Sequence, residues 1–385
     1  MRVLVAVLVY GGRDYVPRCL ESAVRIDRSR HDVDVLVLDD ASPDESWSRE
    51  LASLCHDLGI GSYRSARNLG IPRNMNLALQ RGKEAGYDHV VLANSDTVLP
   101  DNLVNALVDT AATDDSIGSV TAWSNNVSIF SLRNEDPDRH LAEPRTVDWV
   151  STICHEHFAG RAVDIPVGVG FCLMATVGAL RQVGLMDPVF GRGYCEEVDW
   201  CLRATEHGLR NVLAPSAFVY HMGGSASSAG AGLLRPGHTT VPLHERIVDL
   251  RHPGYRQLVE DHLASRVVER LTDEAAAVLV GRAARERGYT VEASWLDRTH
   301  PEDPRVHFTV EPDGSPAQVV GRFAGFEAVV EVEGGSVLKS LEVLVGAPPQ
   351  VVRVFDRGHP ADFLLEEARR ASLETVDARS YPERV

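Results

Sequence analysis

The sequence predicts an α/β protein: a mostly parallel sheet flanked by helices over residues 1–238, then a smaller C-terminal α+β region over residues 239–385. Three observations carry this. Strand and helix signals alternate through the first hundred residues. The strand signals are continuous apolar runs, as strands buried on both faces require. Polar residues close those runs (Tyr10, Asp39, Asp40, and Asn94 to Asp96), where an open parallel sheet binds its ligands. A second domain is expected because 385 residues exceed the roughly 250–300 at which one core stops growing.

Taken in order, "RVLVAVLVY" from residue 2 reads as a buried strand and "DYVPRCLESAV" as a helix. "DVDVLVLDD" is the second strand, and Ser42, Pro43 and Glu45 after it fit a capping box that opens the helix "WSRELASLCHDLG". A short strand "IGSYRS", the helix "PRNMNLALQRGKEAG" and the buried strand "HVVLANSD" complete the alternation. Residues 110–240 are richer in Gly, Asn and Ser. The character changes near residue 238, where a domain boundary is expected. Beyond it come a helical stretch over about 243–288, strand-like "RVHFTVEP", "FEAVVEVE" and "LEVLVG", and a last helix "ADFLLEEARRA". No internal repeat or low-complexity tract is found.

With 44% hydrophobic and 24% charged residues the chain reads as soluble and globular. Its net charge of −16 disfavours phosphate backbones and anionic membranes, so nucleic acid is excluded as a main partner. The longest apolar run, residues 3–10, is too short to span a bilayer and is read as a strand, not a signal peptide. The six cysteines form no CxxC pair, which points to a reducing, cytoplasmic setting.

Each candidate motif has a plain alternative. Asp39 or Asp40 could accept the N–H of a nucleobase, or simply serve the turn before a helix. Asp96 could join diphosphate oxygens around Mg²⁺ or Mn²⁺, or close a strand. Arg67, Asn68, Arg73 and Asn74 surround a helix start suited to a diphosphate, or cap a surface helix. His155 and His157 in "CHEHF" are two apart, on different sides of a helix, and are not read as a metal pair. His221 precedes Gly223 and Gly224, a turn a ligand could approach. In "CEEVDWCLRA", a helix from about Cys195 puts Val198, Cys201 and Leu202 on a buried side. Glu196, Asp199 and Arg203 share another face, with Asp199 and Arg203 spaced for an i,i+4 pair. Glu197 projects about 100° away from Glu196.

In this order, "LDDASPD", "RNLGIPRN", "LANSDT", "GVGFCLM", "GRGYCEEVDWCLRA" and "VYHMGGS" resemble the family 2 glycosyltransferases of GT-A fold, a Rossmann-like architecture. The likeness is to bacterial surface-polysaccharide and rhamnosyltransferase-like members. It includes "VTAWSNNVSIFS" and covers about residues 1–230. The resemblance implies a nucleotide-diphosphate-sugar site made by Tyr10, Asp40 or Asp39, Arg73, Asn94 and Asp96, with a divalent metal held by Asp96 and His221. It implies Glu197 as catalytic base, supported by Glu196 and Asp199, with Gly170 and Trp200 on the substrate side. Asn94 departs from the family's D-x-D pattern, which weakens the expected metal site.

The expected reaction is an inverting transfer of a UDP- or dTDP-activated sugar to an acceptor hydroxyl, in polysaccharide or glycoconjugate synthesis. The acceptor could be a glycan, a lipid-linked sugar, a peptide or a small molecule. The C-terminal region is open to dimerisation, docking at the inner face of the membrane, or acceptor binding. Two other readings stand beside this one: a non-catalytic sugar-nucleotide-binding scaffold, and a sugar nucleotidyltransferase. The second would need more than Gly11, Gly12 and Arg13 after its first strand.

Overall fold

The structure, a computed structural model, describes residues 1–127, 130–132, 143–223, 241–293, 306–310, 318–323, 325–332, 335–354 and 359–377. Gly224 and the expected boundary at 238 lie outside the described residues. The chain divides into two compact units, Met1–Ser131 with Asp138–Val268, and Leu132–Pro137 with Glu269–Val385.

The first unit is built on strands β1 (Arg2–Val9), β2 (Asp32–Asp39), β3 (Gly61–Arg64), β4 (His89–Asn94), β5 (Thr97–Val98), β6 (Ile117–Ser124), β7 (Val163–Asp164), β8 (Cys172–Thr176) and β9 (Arg210–His221). Their order is β3-β2-β1-β4-β8-β6-β9-β5, with β7 on β9. The first four are parallel, whereas β8 runs antiparallel between β4 and β6. The helices are α1 (Val16–Ala23), α2 (Glu45–Asp57), α3 (Ile71–Glu84), α4 (Leu103–Ala111), α5 (Pro144–Phe158), α6 (Val177–Val183), α7 (Glu196–Glu206), α8 (Val241–Arg251) and α9 (Tyr255–Ala264).

The continuous apolar run of β1 follows from its position. Val3, Val5, Val7 and Val9 join one core with Cys19 and Leu20 of α1, while Leu4 and Ala6 join a second with Met75 and Leu79 of α3 and Trp200 of α7. Each face is buried, and each fully buried Val or Leu contributes about 1.5–3 kcal/mol. β9 tolerates Pro215 because its register against β6 shifts between Ala122 and Trp123, which lifts Pro215 out of the ladder.

Two details differ from expectation here. α2 is capped by Asp44, whose Oδ1 accepts from the Ser46 and Trp47 N–H groups, not by Ser42. Ser42 instead gives its N–H and hydroxyl to Asp39 and accepts the Gly11 N–H. Nor is the 243–288 stretch one helix. It breaks at Pro253–Gly254 and again at Arg266, whose φ is +53°, into α8, α9 and α10 (Val267–Arg287).

The second unit holds α10, most of which follows Val268, and β10 (Tyr289–Ala293), β11 (Val306–Val310), β12 (Gln318–Phe323), β13 (Phe326–Glu331), α11 (Val337–Val345), β14 (Val351–Val354), α12 (His359–Arg370) and β15 (Glu374–Asp377). Its sheet order is β13-β12-β11-β10-β14-β15, parallel from β11 to β15 and antiparallel through the β12–β13 hairpin. "LEVLVG" is helical here, not a strand. Leu338, Leu341 and Val345 bury one helix face, Ser336 caps the start through Lys339 N–H, and left-handed Gly346 ends it. No helix among the described residues is long and apolar enough to cross a membrane.

Candidate active site

A cavity of about 330 Å³ opens beyond the carboxyl ends of β1, β2 and β4, lined by Tyr10, Asp40, Asn94 and Asp96 from those ends. The edge of α3 adds Gly70, Ile71, Asn74 and Met75, and the far wall holds Gly170, Arg192, Tyr194, Glu196, Glu197 and His221. One cavity therefore collects most of the sequence candidates.

The two neighbouring aspartates part company. Asp39 turns away from the cavity and is held by Ser42, Ser48 and Arg64 at 2.5–3.2 Å. Asp40 faces the cavity and accepts the Leu69 and Gly70 N–H groups at 2.7 and 2.9 Å. Burial raises the Asp40 pKa above the ordinary carboxylate range, although those two N–H groups and Arg192 pull it down. Gly70 is required where it stands. Its φ is +83°, and a Cβ there would lie 2.0 Å from the Gly191 carbonyl oxygen. This close approach joins the start of α3 to the loop that carries Arg192.

Asp96 and His221 are brought together by a two-residue ladder in which Thr97 of β5 pairs with His221 of β9. Neither carboxylate oxygen of buried Asp96 accepts a hydrogen bond from a described residue, and His221 Nε2 stands 3.4 Å from its Oδ1. His221 Nδ1 lies 2.9 Å from the Asn126 carbonyl, so this nitrogen carries the proton and Nε2 faces Asp96. Asn125 bonds the backbone N–H and carbonyl of His221, which gives "SNN" a concrete task. Burial lowers the imidazole pKa, but Asp96 outweighs it and the net shift is upward. One carboxylate and one imidazole, with unsatisfied oxygens, suit a hard divalent cation whose other ligands are diphosphate oxygens. Among the described residues no group of three or more His, Cys, Asp or Glu side chains could hold a metal alone.

The acid pair sits at the start of α7, after a strained turn. Gly191, Gly193, Tyr194 and Cys195 all have positive φ, and the latter two are L-residues at +72° and +73°. Left-handed backbone costs such residues about 1–2 kcal/mol each. Burial and the neighbouring Glu197 raise the Glu196 pKa well above the carboxylate range. Burial also raises Glu197, but the Gly170 N–H and a hydrogen bond from Glu196 oppose it. Two adjacent buried carboxyls disfavour double ionisation, so both are pushed up, Glu196 the further. A Cβ on Gly170 would meet Glu197 Oε1 at 3.5 Å, an ordinary van der Waals contact, which places the two residues side by side. One oxygen of each glutamate has no hydrogen-bond partner among the described residues.

Not every candidate reaches the cavity. The acid face of α7 is buried, not solvated: Asp199 is wholly enclosed, bonded to Arg203, Arg251 and His252 at 2.8, 3.0 and 3.2 Å. Val198 is only partly buried. Trp200 lies in the core and donates its indole N–H to the Gly184 carbonyl. Arg73 is exposed outside the lining; on α5, also outside it, His157 is exposed and His155 half-buried. Asn68 and Asn74 do line the cavity, Asn74 with an Oδ1 that no described residue satisfies; among the lining residues the sequence reading missed are Arg192, bonded to Asn68, and Tyr194. Only the glycine-rich loop around Arg192 and Tyr194 gave a local hint.

Residues 4–165 match the family model described as glycosyl transferase family 2. No curated protein matches the sequence. Solved structures similar to the chain include residues 1–349 of S. aureus TarS with UDP-GlcNAc, at 14% identity and TM-score 0.45, covering 73% of this chain and 81% of that one. The mannosyltransferase PcManGT from Pyrobaculum calidifontis with GDP-Man and Mn²⁺ is 19% identical, with TM-score 0.42 and coverage of 71% and 74%. GalNAc-T7 with UDP, GalNAc and Mn²⁺ is 13% identical, with TM-score 0.44; the match covers 57% of this chain and only 44% of that chain's length. The family match spans residues 4–165, from β1 to β7 of the first unit, so that part of the chain is similar to family 2 glycosyltransferases.

Proposed function

We propose that the chain is an inverting glycosyltransferase that moves a sugar from a nucleotide-diphosphate donor, UDP- or dTDP-linked, to an acceptor hydroxyl in polysaccharide or glycoconjugate synthesis. The observation that carries this is one cavity holding both the Asp96–His221 pair and Glu197, with Asp96 and Glu197 oxygens that no described residue satisfies. Asp40 is the better of the two aspartates for a base N–H, since Asp39 is committed to Arg64. Tyr10 and Asn94 border the same donor side, and Arg192 offers a cation to the diphosphate. Asp96 and His221 would hold Mg²⁺ or Mn²⁺, which when bound neutralises charge on the departing diphosphate.

Glu197 takes the proton of the acceptor hydroxyl as its oxygen bonds the anomeric carbon. The bond from that carbon to the diphosphate oxygen breaks on the opposite face, and its electron pair leaves with the nucleotide. The anomeric centre inverts. Gly170 N–H and the Glu196 proton steady the Glu197 charge beforehand. Six cysteines, none of them disulfide-bonded, support a cytoplasmic setting.

The test is a thermal-shift series with UDP-, dTDP- and GDP-sugars, with and without Mn²⁺, followed by an assay of nucleoside diphosphate release. A rise in Tm with a UDP- or dTDP-sugar, strengthened by Mn²⁺, is expected. No stabilisation by any donor would sink the reading.

A further inference from the structure

Helix α8 lies beyond the residues matched by the family model, yet its inner face is directed at the acid turn. His244, Val248 and Arg251, with His252 next, fall on one helical face. Val248 packs in the core that holds Trp200. Arg251 bridges Asp187, before the turn, and Asp199, after it, at 2.8 and 3.0 Å. His252 adds Asp199 and Glu206. His244 is the one that meets the turn itself. Its buried Nδ1 lies 2.9 Å from the Gly193 carbonyl oxygen and 3.1 Å from that of Tyr194. Both partners are acceptors, so Nδ1 carries the proton and donates to each. These carbonyls belong to the first two of three successive positive-φ residues, directly before Glu196 and Glu197.

We propose that His244 is a positioning residue for the transfer: its Nδ1–H clamps the left-handed turn at Gly193–Tyr194 and so fixes where Glu197 points. This rests on Glu197 as the base. A displacement of about 1 Å at a reacting group lowers turnover roughly 100-fold. The competing account is that the ring only fills space beside Phe190, its edge-to-face neighbour at 5.5 Å.

Three variants separate the two accounts. His244→Phe keeps the ring volume without the donor, His244→Asn places an N–H near the Nδ1 position, and His244→Gln places one near Nε2. The readouts are kcat for nucleoside diphosphate release, the donor Kd, and native labelling of Cys195 by iodoacetamide. Cys195 is half-buried and the other five cysteines are buried, so labelling reports on this turn. Expected are about a 10- to 100-fold fall in kcat for Phe and Gln with unchanged donor Kd, faster Cys195 labelling, and recovery of both in Asn. Parent-like kcat and labelling in His244→Phe, beside an active parent, overturn the positioning role alone, as does an Asn variant no better than Phe. A parent without turnover overturns the transferase reading and this role with it.

Discussion

The donor side and the acid side of the cavity are built by different means. Tyr10, Asp40, Asn94 and Asp96 stand at or just past the ends of regular parallel strands, and the ladder that aligns the strands aligns the residues. Glu196 and Glu197 follow a turn of left-handed residues held by His244, by Gly70 packed on Gly191, and by the Asp199 cluster. Position on the first side comes with the sheet. On the second it depends on distant contacts that offset local strain, so substitutions should damage the two sides differently.

The largest effect should come from the acid side. Glu197→Gln should lower kcat by about 10²–10⁴-fold with donor Kd unchanged, since only proton removal is lost. A parent-like kcat would remove Glu197 from the mechanism. Next is the scaffold beneath it. Asp199→Ala strands Arg203, Arg251 and His252 and should cost about 2–3 kcal/mol in urea unfolding, less than the 3–5 of a fully buried pair because both arginines keep some water access. On the donor side, His221→Ala should weaken Mn²⁺-dependent donor binding about 10–100-fold while leaving the urea midpoint nearly unchanged. A comparable stability loss there would erase the contrast.

The smallest effect is one of sign. Glu196 has a raised folded pKa, so its contribution to stability is complete below the ordinary carboxylate range and is lost as pH rises through the raised value. Glu196→Gln should therefore raise Tm at pH 8 and hardly change it at pH 4. Asp199 has a lowered pKa, through Arg203, Arg251 and His252 acting against burial. Its contribution is present at neutral pH and lost on acidification. A Glu196→Gln gain that is larger at pH 4 than at pH 8 would refute the raised Glu196 pKa.

The same division explains what could be read from the sequence. The run from Val3 to Val9 and the acids that end the strands were legible because a strand has period two and a parallel sheet binds at its carboxyl ends. The Asp199–Arg203 pair was legible as i,i+4 spacing. Ser42 was mistaken for a cap because Asp44 satisfies the same turn chemistry two residues later. "LEVLVG" looked like a strand because a short apolar run does not reveal its period without Leu338 and the Ser336 cap. His244, Arg192 and the enclosure of Asp199 were hidden, since each depends on packing between segments far apart in sequence.

The ladder of Thr97 with His221 has a consequence for the order of assembly. Its strands are separated by nearly half of the first unit, so closing it carries the loop-entropy cost of a high-contact-order pairing. During synthesis the sheet edge around β4 can form long before β9 emerges to complete it. The cation-suited pair is therefore among the last features of the domain to appear, and a growing chain should gain the proposed donor affinity only once β9 has been made.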